Sequence, residues 1–373
     1  MDEKKQLIEK EDTKFIYCVA ILMLIFHHLF YKNNVRTPWT SLIGTQLIET
    51  LARQCRVCVA MFCFISGYGM AKKLSCKSIR VNFVNSILFS FKHLFKFIKK
   101  YWLIVMIVNI IGFSTGIRNI VFVDLLKELV GKSNITELWY VEQYIKMMLI
   151  TPILSILACF IRNNTNKTKR VFYVLGILLL VVYIVLAIRY HLGSNYSLEN
   201  LNWYRMFLRF GGGYTIVYCY SFFLSSYEIF EGKNGILLRK NVKATKSIIY
   251  ISGIILTLIV RWKISENDPA WSAGDIIFAP IIIYFLVKLG KFVRKFEWMK
   301  SYINIISLIS TYMWFIHPIL CYYYFNKYIY SFKYVLIIFL WCVALTMVLS
   351  IIAYWIENVL FVKNISKKNN RYV

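Results

Sequence analysis

Long apolar runs separated by short basic stretches form the main pattern of this sequence. A helix that crosses a bilayer needs about 20 mostly apolar residues. Ten runs meet this requirement, near residues 15–31, 50–71, 101–123, 138–161, 171–190, 203–225, 247–264, 273–290, 303–325 and 334–361. The pattern therefore predicts an all-α, polytopic membrane protein. Because no repeat or Gly/Ser-rich linker divides the chain, we expect one membrane domain over residues 1–373, with its bundle at about 15–361.

Basic residues alternate between the loops that join these runs. Lys and Arg are concentrated in the N-terminal stretch, in the loops after the second, fourth, sixth and eighth runs, and in the C-terminal tail. The intervening loops hold far fewer. Since cytoplasmic loops carry the excess of Lys and Arg, the alternation predicts about ten transmembrane helices with both termini in the cytoplasm.

The composition is that of a chain whose main solvent is lipid. Hydrophobic residues make up 59% of the chain and charged residues 17%, whereas soluble domains are about a quarter charged. The net charge of +27 would suggest a nucleic-acid partner in a soluble protein. In this chain the excess of positive charge follows from the basic cytoplasmic loops, so no nucleic-acid partner is expected. The scattered cysteines include one isolated CxxC pair, Cys55 and Cys58, so we expect no metal site.

The stretch 79–100 has apolar residues at helical spacing with lysines interleaved, namely Lys92, Lys96, Lys99 and Lys100. This pattern predicts an interfacial helix on the anionic cytoplasmic leaflet. A second use for these lysines is attraction of a polyanionic cytosolic cofactor.

Ionisable side chains inside a bilayer are costly, and each is a candidate for function. The predicted helices contain His27, His28, Arg53, Arg56, Glu142, Lys146, Arg205, Arg209, Asp275, His317 and Glu357. The predicted topology puts His28, Glu142 and His317 in the outer half of the membrane, on three helices. They form a candidate acid/base set if those helices touch. Alternatively, both neighbouring histidines are solvated at the interface, and Glu142 pairs with Lys146 four residues later.

Two arginines on the second run form a candidate anion site. Arg53 and Arg56 are three residues apart and share a helix face, and each guanidinium can bind two oxygens of a phosphate or carboxylate. Alternatively, the arginines snorkel, or Arg53 pairs with Glu49. Arg205 and Arg209 also share a face and are a weaker candidate.

Four local strings have a combined resemblance to one family. They are FIYCVAILMLIFHH (ending at His28), RQCRVCVAMFCFISGYG (with Arg53, Arg56, Ser66 and Tyr68), ELWYVEQYIKMMLITP (with Trp139, Tyr140 and Pro152) and ISTYMWFIHP (with Ser310 and His317). Their order and spread resemble acyltransferase family 3, the integral-membrane O-acyltransferases.

The resemblance implies transfer of an acyl group, usually acetyl, from cytoplasmic acyl-CoA to a hydroxyl of an extracytoplasmic glycan or lipid-linked sugar. It implies an O-acetyltransferase of a multi-pass plasma or inner membrane, acting on cell-envelope material such as an exopolysaccharide, with no metal. A sugar hydroxyl is deprotonated best by a base such as histidine. We therefore expect His28, Glu142 and His317 to be catalytic and Arg53, Arg56, Ser66 and Tyr68 to bind the acyl-CoA.

Two other functions fit a ten-helix chain. Intramembrane Arg, Glu and His also serve proton relays and substrate paths, so a transporter or flippase of a glycan precursor is the main alternative. Against it, no two halves carry corresponding Gly/Pro-broken helices; Gly211–Gly213 and Pro280 interrupt predicted helices, but not at matching positions of two halves. A non-catalytic partner of a glycan assembly complex is the third reading.

Overall fold

The computed structural model describes residues 8–31, 44–75, 83–116, 119, 122–130, 139–163, 176, 212–226, 244–264 and 274–362. These residues form helices and turns, with no strand among them, so the predicted all-α class is confirmed. The helices are α1 (Lys10–Phe30), α2 (Thr45–Gln54), α3 (Cys58–Ser75), α4 (Phe83–Ser114), α5 (Phe122–Leu129), α6 (Tyr140–Asn163), α7 (Gly212–Ser226), α8 (Ala244–Ile264), α9 (Asp275–Val293), α10 (Glu297–Pro318), α11 (Asn326–Ile329) and α12 (Val335–Glu357).

Seven helical stretches in the described part of the chain are long and apolar enough to cross a membrane. They are Lys10–Phe30, Thr45–Leu74, Tyr140–Cys159, Ser247–Ile264, Asp275–Val293, Glu297–Tyr323 and Val335–Leu360. The chain is therefore a polytopic membrane protein. Of the predicted run at 171–190, the structure describes only Gly176. Residues 203–211 of the run at 203–225 also lie outside the described residues. Ten spans and two cytoplasmic termini remain predictions.

Helix α12 shows the outward-facing apolar surface that a lipid environment requires. Its buried face includes the hydroxyl residues Thr346 and Ser350. Its exposed face carries large apolar side chains, among them Leu336, Leu340, Val348, Ile352 and Trp355. An exposed face of large apolar side chains differs from the polar exposed face of a soluble helix. It suits a lipid environment, in which a helix is stable because its backbone groups bond to one another.

Helix α4 differs from the sequence prediction. An interfacial helix over 79–100 and a separate span over 101–123 were expected, but Phe83–Ser114 is one unbroken helix. The reason is that the lysines before Tyr101 are good helix formers, and the first Gly or Pro of the stretch is Gly112. The boundary inferred from charge therefore does not interrupt the backbone.

The chain separates into two compact units, each assembled from three stretches of sequence. The first comprises Met1–Ile16, Val57–His93 and Gln143–Glu297, and the second comprises Tyr17–Arg56, Leu94–Glu142 and Trp298–Val373. Because the stretches of the two units alternate along the chain, neither unit is a contiguous segment. A single membrane domain over residues 1–373 remains a prediction.

Close helix packing characterises the first unit, with α3 against α7 as the most extensive contact. A Cβ atom on Gly67 would lie 2.3 Å from the backbone carbonyl oxygen of Tyr218. Small residues permit such approach between membrane helices. The Tyr218 and Thr151 hydroxyls, 2.6 Å apart, join α7 to α6.

Two ion pairs also hold the first unit. Arg261 Nε donates to Asp275 Oδ1 at 2.7 Å across the α8–α9 connection, and both side chains are buried. Arg294 Nη2 donates to Asp12 Oδ1 at 2.6 Å and joins the end of α9 to the start of α1. Asp275, a functional candidate from its position in a predicted span, thus belongs to a buried structural pair.

Candidate active site

Two histidines from distant parts of the sequence meet in the second unit. His317 Nε2, at the end of α10, lies 3.3 Å from His28 Nδ1, near the end of α1. Their ring centres are 4.8 Å apart. His28 is 7% exposed and His317 is 0% exposed, so protein rather than water surrounds the pair. The structure therefore brings together two of the three residues expected to form the acid/base set.

Tyrosine hydroxyls hold the end of α1 in place. The last carbonyl groups of a helix have no partner within it and must be bonded from elsewhere when they are buried. The Tyr322 hydroxyl donates to the His28 carbonyl oxygen at 2.6 Å, and the Tyr330 hydroxyl donates to the Leu29 carbonyl oxygen at 2.8 Å. Both tyrosines follow His317 in sequence, so the segment that carries one histidine also fixes the backbone of the other.

Pro318 directly follows His317 and changes the local helix geometry there. Pro318 has no N–H and therefore cannot donate to the carbonyl four residues earlier. Immediately after it, residues Ile319–Tyr323 form a π-helical turn. Single π turns often occur at functional sites because they re-aim neighbouring side chains. Here the wider turn carries Tyr322, whose hydroxyl reaches back to α1.

The hydrogen bonds define where the protons of the pair lie. His317 Nδ1 is 2.9 Å from the carbonyl oxygen of Met313. A carbonyl only accepts, so His317 Nδ1 is protonated and its Nε2 is an acceptor in the neutral ring. His28 Nδ1 is then the donor to His317. The remaining nitrogen of the neutral ring, His28 Nε2, then carries a lone pair.

His27 is held in a different arrangement. Its Nδ1 donates to the Ala52 carbonyl oxygen at 2.7 Å, and its ring stacks on Tyr31 with centres 4.8 Å apart. The Arg53 guanidinium lies 5.9 Å from the centre of the same tyrosine ring. Adjacent helical residues are rotated by about 100°, which is why His27 and His28 face different partners. These contacts favour a packing role for His27.

The two candidate arginines lie where α2 meets α3. Arg53 is in the last turn of α2, and Arg56 is in the tighter 3-10 turn Cys55–Val57. Both are half-buried. Arg53 Nε is buried with no hydrogen-bond partner among the described residues. Arg56 follows Arg53 by three residues in the same short segment. The ring of Tyr31, on which His27 stacks, thus connects this segment with the end of α1 that carries both histidines.

Glu142, the third residue of the expected acid/base set, lies in the first turn of α6 and is exposed. The histidines, by contrast, are buried. Two residues before Glu142, the ring of Tyr140 stacks on Trp314 with centres 4.3 Å apart. Trp314 is one helical turn before His317. The Leu-Trp-Tyr string therefore contacts the histidine helix through its tyrosine.

Ser66 and Tyr68 belong to the first unit, on helix α3. Tyr68 is 6% exposed and Ser66 is half-buried. They flank Gly67, the residue at which α3 and α7 approach each other. Arg205 and Arg209, the weaker candidate arginine pair, lie outside the described residues.

A buried carboxylate, Glu128, lies outside the predicted membrane spans. Glu128 is 1% exposed. The Asn109 amide donates to its Oε2 at 3.0 Å, and the Tyr101 hydroxyl donates to its backbone carbonyl. It lies between the predicted runs at 101–123 and 138–161, and no long apolar run contains it. The helical spacing of the apolar residues in Phe122–Leu129 was the available signal.

The described residues contain no group of three or more His, Cys, Asp or Glu side chains placed to hold a metal ion. A family model described as an acyltransferase domain matches residues 16–355, nearly the whole chain. No curated protein and no solved structure matches the chain. The match includes both histidines of the buried pair and both arginines beside it.

Proposed function

The chain belongs to acyltransferase family 3 over residues 16–355 and is a multi-pass membrane acyltransferase; on that premise, we propose that it is an O-acetyltransferase. The proposed donor is cytoplasmic acetyl-CoA, and the proposed acceptor is a hydroxyl of an extracytoplasmic glycan or lipid-linked sugar. The observation that carries the proposal is the buried pair of His28 and His317, whose hydrogen bonds leave a lone pair on His28 Nε2.

The proposed reaction begins at His28 Nε2. This nitrogen takes the proton of the acceptor hydroxyl as its oxygen attacks the thioester carbonyl carbon. The imidazolium that forms keeps its Nδ1–H bond to His317, so the charge is stabilised where it develops. Collapse of the tetrahedral intermediate breaks the carbon–sulfur bond, and the departing thiolate takes the proton from His28. The products are an O-acyl ester and the free thiol of CoA.

Positive charge near the histidines has a defined use in this scheme. The tetrahedral intermediate carries a negative oxygen, and donors fixed in advance at that position lower the barrier. Arg53 Nε is buried without a hydrogen-bond partner among the described residues, and Arg56 lies three residues later, in the 3-10 turn that follows α2. We assign these two arginines to the reacting carbonyl. Glu142 remains a proposed contributor to the site, and donor binding by Ser66 and Tyr68 of the first unit remains a prediction.

Substitution of each of the two neighbouring histidines, His27 and His28, tests the proposed general base. We expect His28→Ala to lower kcat by about 10²–10⁴-fold, the usual contribution of a general base. His27→Ala should lose far less, because it removes a packing contact with Tyr31 and a bond to Ala52. Both variants should accumulate in membranes to the wild-type level.

The assay adds radiolabelled acetyl-CoA to membranes that contain the protein and its glycan, and measures label in base-labile esters. An inactive His27→Ala beside an active His28→Ala would overturn the assignment of the base. Movement of a glycan precursor across the membrane without any label in it would favour the transporter alternative.

A further inference from the structure

A second group of charged residues, away from the histidine pair, joins three helices of the second unit. The Lys99 ammonium on α4 lies 2.9 Å from Glu357 Oε1 on α12. The Tyr312 hydroxyl on α10 donates to the other carboxylate oxygen, Glu357 Oε2. Lys100 Nζ lies 5.0 Å from the centre of the Tyr312 ring. We call these four residues the lysine cluster.

The lysine cluster has more positive than negative charge. Both oxygens of Glu357 are already engaged, by Lys99 and by Tyr312. Lys100 rests against an aromatic ring, and Lys96, one helical turn earlier, adds further positive charge to its surroundings. Partly buried cations are costly unless an anion or carbonyl oxygens compensate them. Within the lysine cluster, one carboxylate thus stands against two ammonium groups, which is the charge balance of a site that favours a further anion.

The lysine cluster lies along the same helix as His317. Tyr312 precedes His317 by five residues, a rise of about 7.5 Å along α10. The rings of Phe97 and Tyr101 contact Phe315 with centres 5.3 and 5.5 Å apart, which holds α4 against α10 between the two sites. The lysine cluster is therefore displaced from His317 toward the N-terminal end of α10, which the predicted topology places on the cytoplasmic side.

We propose that Lys99 and Lys100, positioned by Tyr312 and Glu357, bind the phosphate groups of the acyl donor. This inference rests on the proposed function, since it takes the donor to be an acyl-CoA. The ammonium of lysine binds phosphate as a compact point charge and needs no planar, two-pronged geometry. The cluster then holds the polyanionic end of the donor, while its acyl end extends along α10 toward His317.

Binding measurements on the purified protein in lipid-free detergent test the proposal. The probes are CoA and pantetheine, which has the same thiol arm without phosphate. We expect Lys100→Gln to weaken CoA binding by roughly ten- to hundredfold, the usual loss for a charge-assisted hydrogen bond, and to leave pantetheine binding unchanged. The matched control is Lys92→Gln, which removes the same charge from an exposed position on the same helix and should bind CoA as the wild type does.

A second variant, Glu357→Gln, is expected to change the affinity for CoA in the opposite direction. Glu357→Gln removes the only carboxylate of the lysine cluster and should tighten CoA binding, because the net positive charge rises. If the cluster only held the helices together, both variants would weaken binding through loss of structure. Should Lys100→Gln fail to fold, Lys99→Gln takes its place in the comparison with Glu357→Gln.

Each result has a distinct meaning. Equal CoA binding by wild type and Lys100→Gln would overturn the inference and leave the proposed function intact. Failure of the wild type to bind CoA at all would overturn the proposed donor, and this inference with it. An anionic lipid headgroup carries the same phosphate chemistry. The lipid alternative predicts that phosphatidylglycerol, but not phosphatidylcholine, stabilises the wild type and fails to stabilise Lys100→Gln. If the wild type and Lys100→Gln also bind CoA equally well, the lysine cluster binds a lipid headgroup and not the donor.

Discussion

The bond between the two buried histidines can be removed with little change in side-chain volume. His317→Met replaces the ring with an apolar side chain that cannot accept the proton of His28 Nδ1. His317→Gln keeps an acceptor, because its amide oxygen lies about as far from the backbone as the imidazole Nε2. The two variants therefore separate loss of the hydrogen bond from loss of the histidine.

The expected loss of kcat in His317→Met follows from the burial of the two histidines and from the charge on His28 in the transition state. The bond joins a ring that is 7% exposed to one that is 0% exposed, so water cannot replace the lost acceptor. In the proposed transition state the donor ring is positively charged, and a hydrogen bond to a charged group contributes about 1.5–3 kcal/mol. Since about 1.4 kcal/mol corresponds to a factor of ten in rate, we expect His317→Met to lower kcat roughly ten- to 150-fold.

Steady-state transfer of labelled acetyl groups from acetyl-CoA measures this prediction. The lost bond strengthens only as charge develops, so kcat should fall while KM for acetyl-CoA stays near the wild-type value. His317→Gln should recover most of the activity. A His317→Met variant with the wild-type kcat would show that the histidines only pack. Equal loss in both variants, with a lowered melting temperature, would show that His317 serves the fold.

Two further predictions concern the arginines and the packing of the first unit. Arg56→Lys should recover little of the activity that Arg56→Ala loses, because a point charge lacks the bidentate fork; full activity of both variants in the labelling assay would make Arg56 structural. Gly67→Ala should lower stability by about 1–3 kcal/mol through overpacking, since its Cβ would lie 2.3 Å from a backbone oxygen of α7. Gly69→Ala, with nothing within 4 Å, is the control, and equal melting of the two variants in detergent would contradict the prediction.

Sequence reasoning succeeded where local pattern determines structure. Apolar run length is sufficient to recognise the helices α1, α9 and α12 as membrane spans. Helical rotation is sufficient to predict that His27 and His28 face different surroundings, and the structure gives them different partners. The family was recognised because each of its motifs is a short continuous string of sequence and the four strings keep their order along the chain.

Sequence reasoning failed where partners come from distant helices. Lys99 was read as part of a basic stretch that sets topology, but in the structure its ammonium meets Glu357, whose helix lies near the other end of the chain. Asp275 was a functional candidate by its position in a predicted span, and its buried partner Arg261 was not foreseen. No spacing rule links such pairs, because their approach depends on how whole helices pack.

In the proposed scheme, the two cationic sites of the second unit have different chemical tasks, and their different residue types suit those tasks. The phosphates of a donor keep their charge throughout the reaction, so lysines that bind them stabilise ground state and transition state equally and act on KM. The thioester oxygen becomes negative only in the transition state, so arginines directed at it act on kcat. If both assignments are right, Lys100→Gln should raise KM for acetyl-CoA with kcat preserved, and Arg56→Ala should lower kcat. A fall in kcat in Lys100→Gln would mean that its charge acts on the reacting atoms, and the division of tasks between the two sites would be wrong.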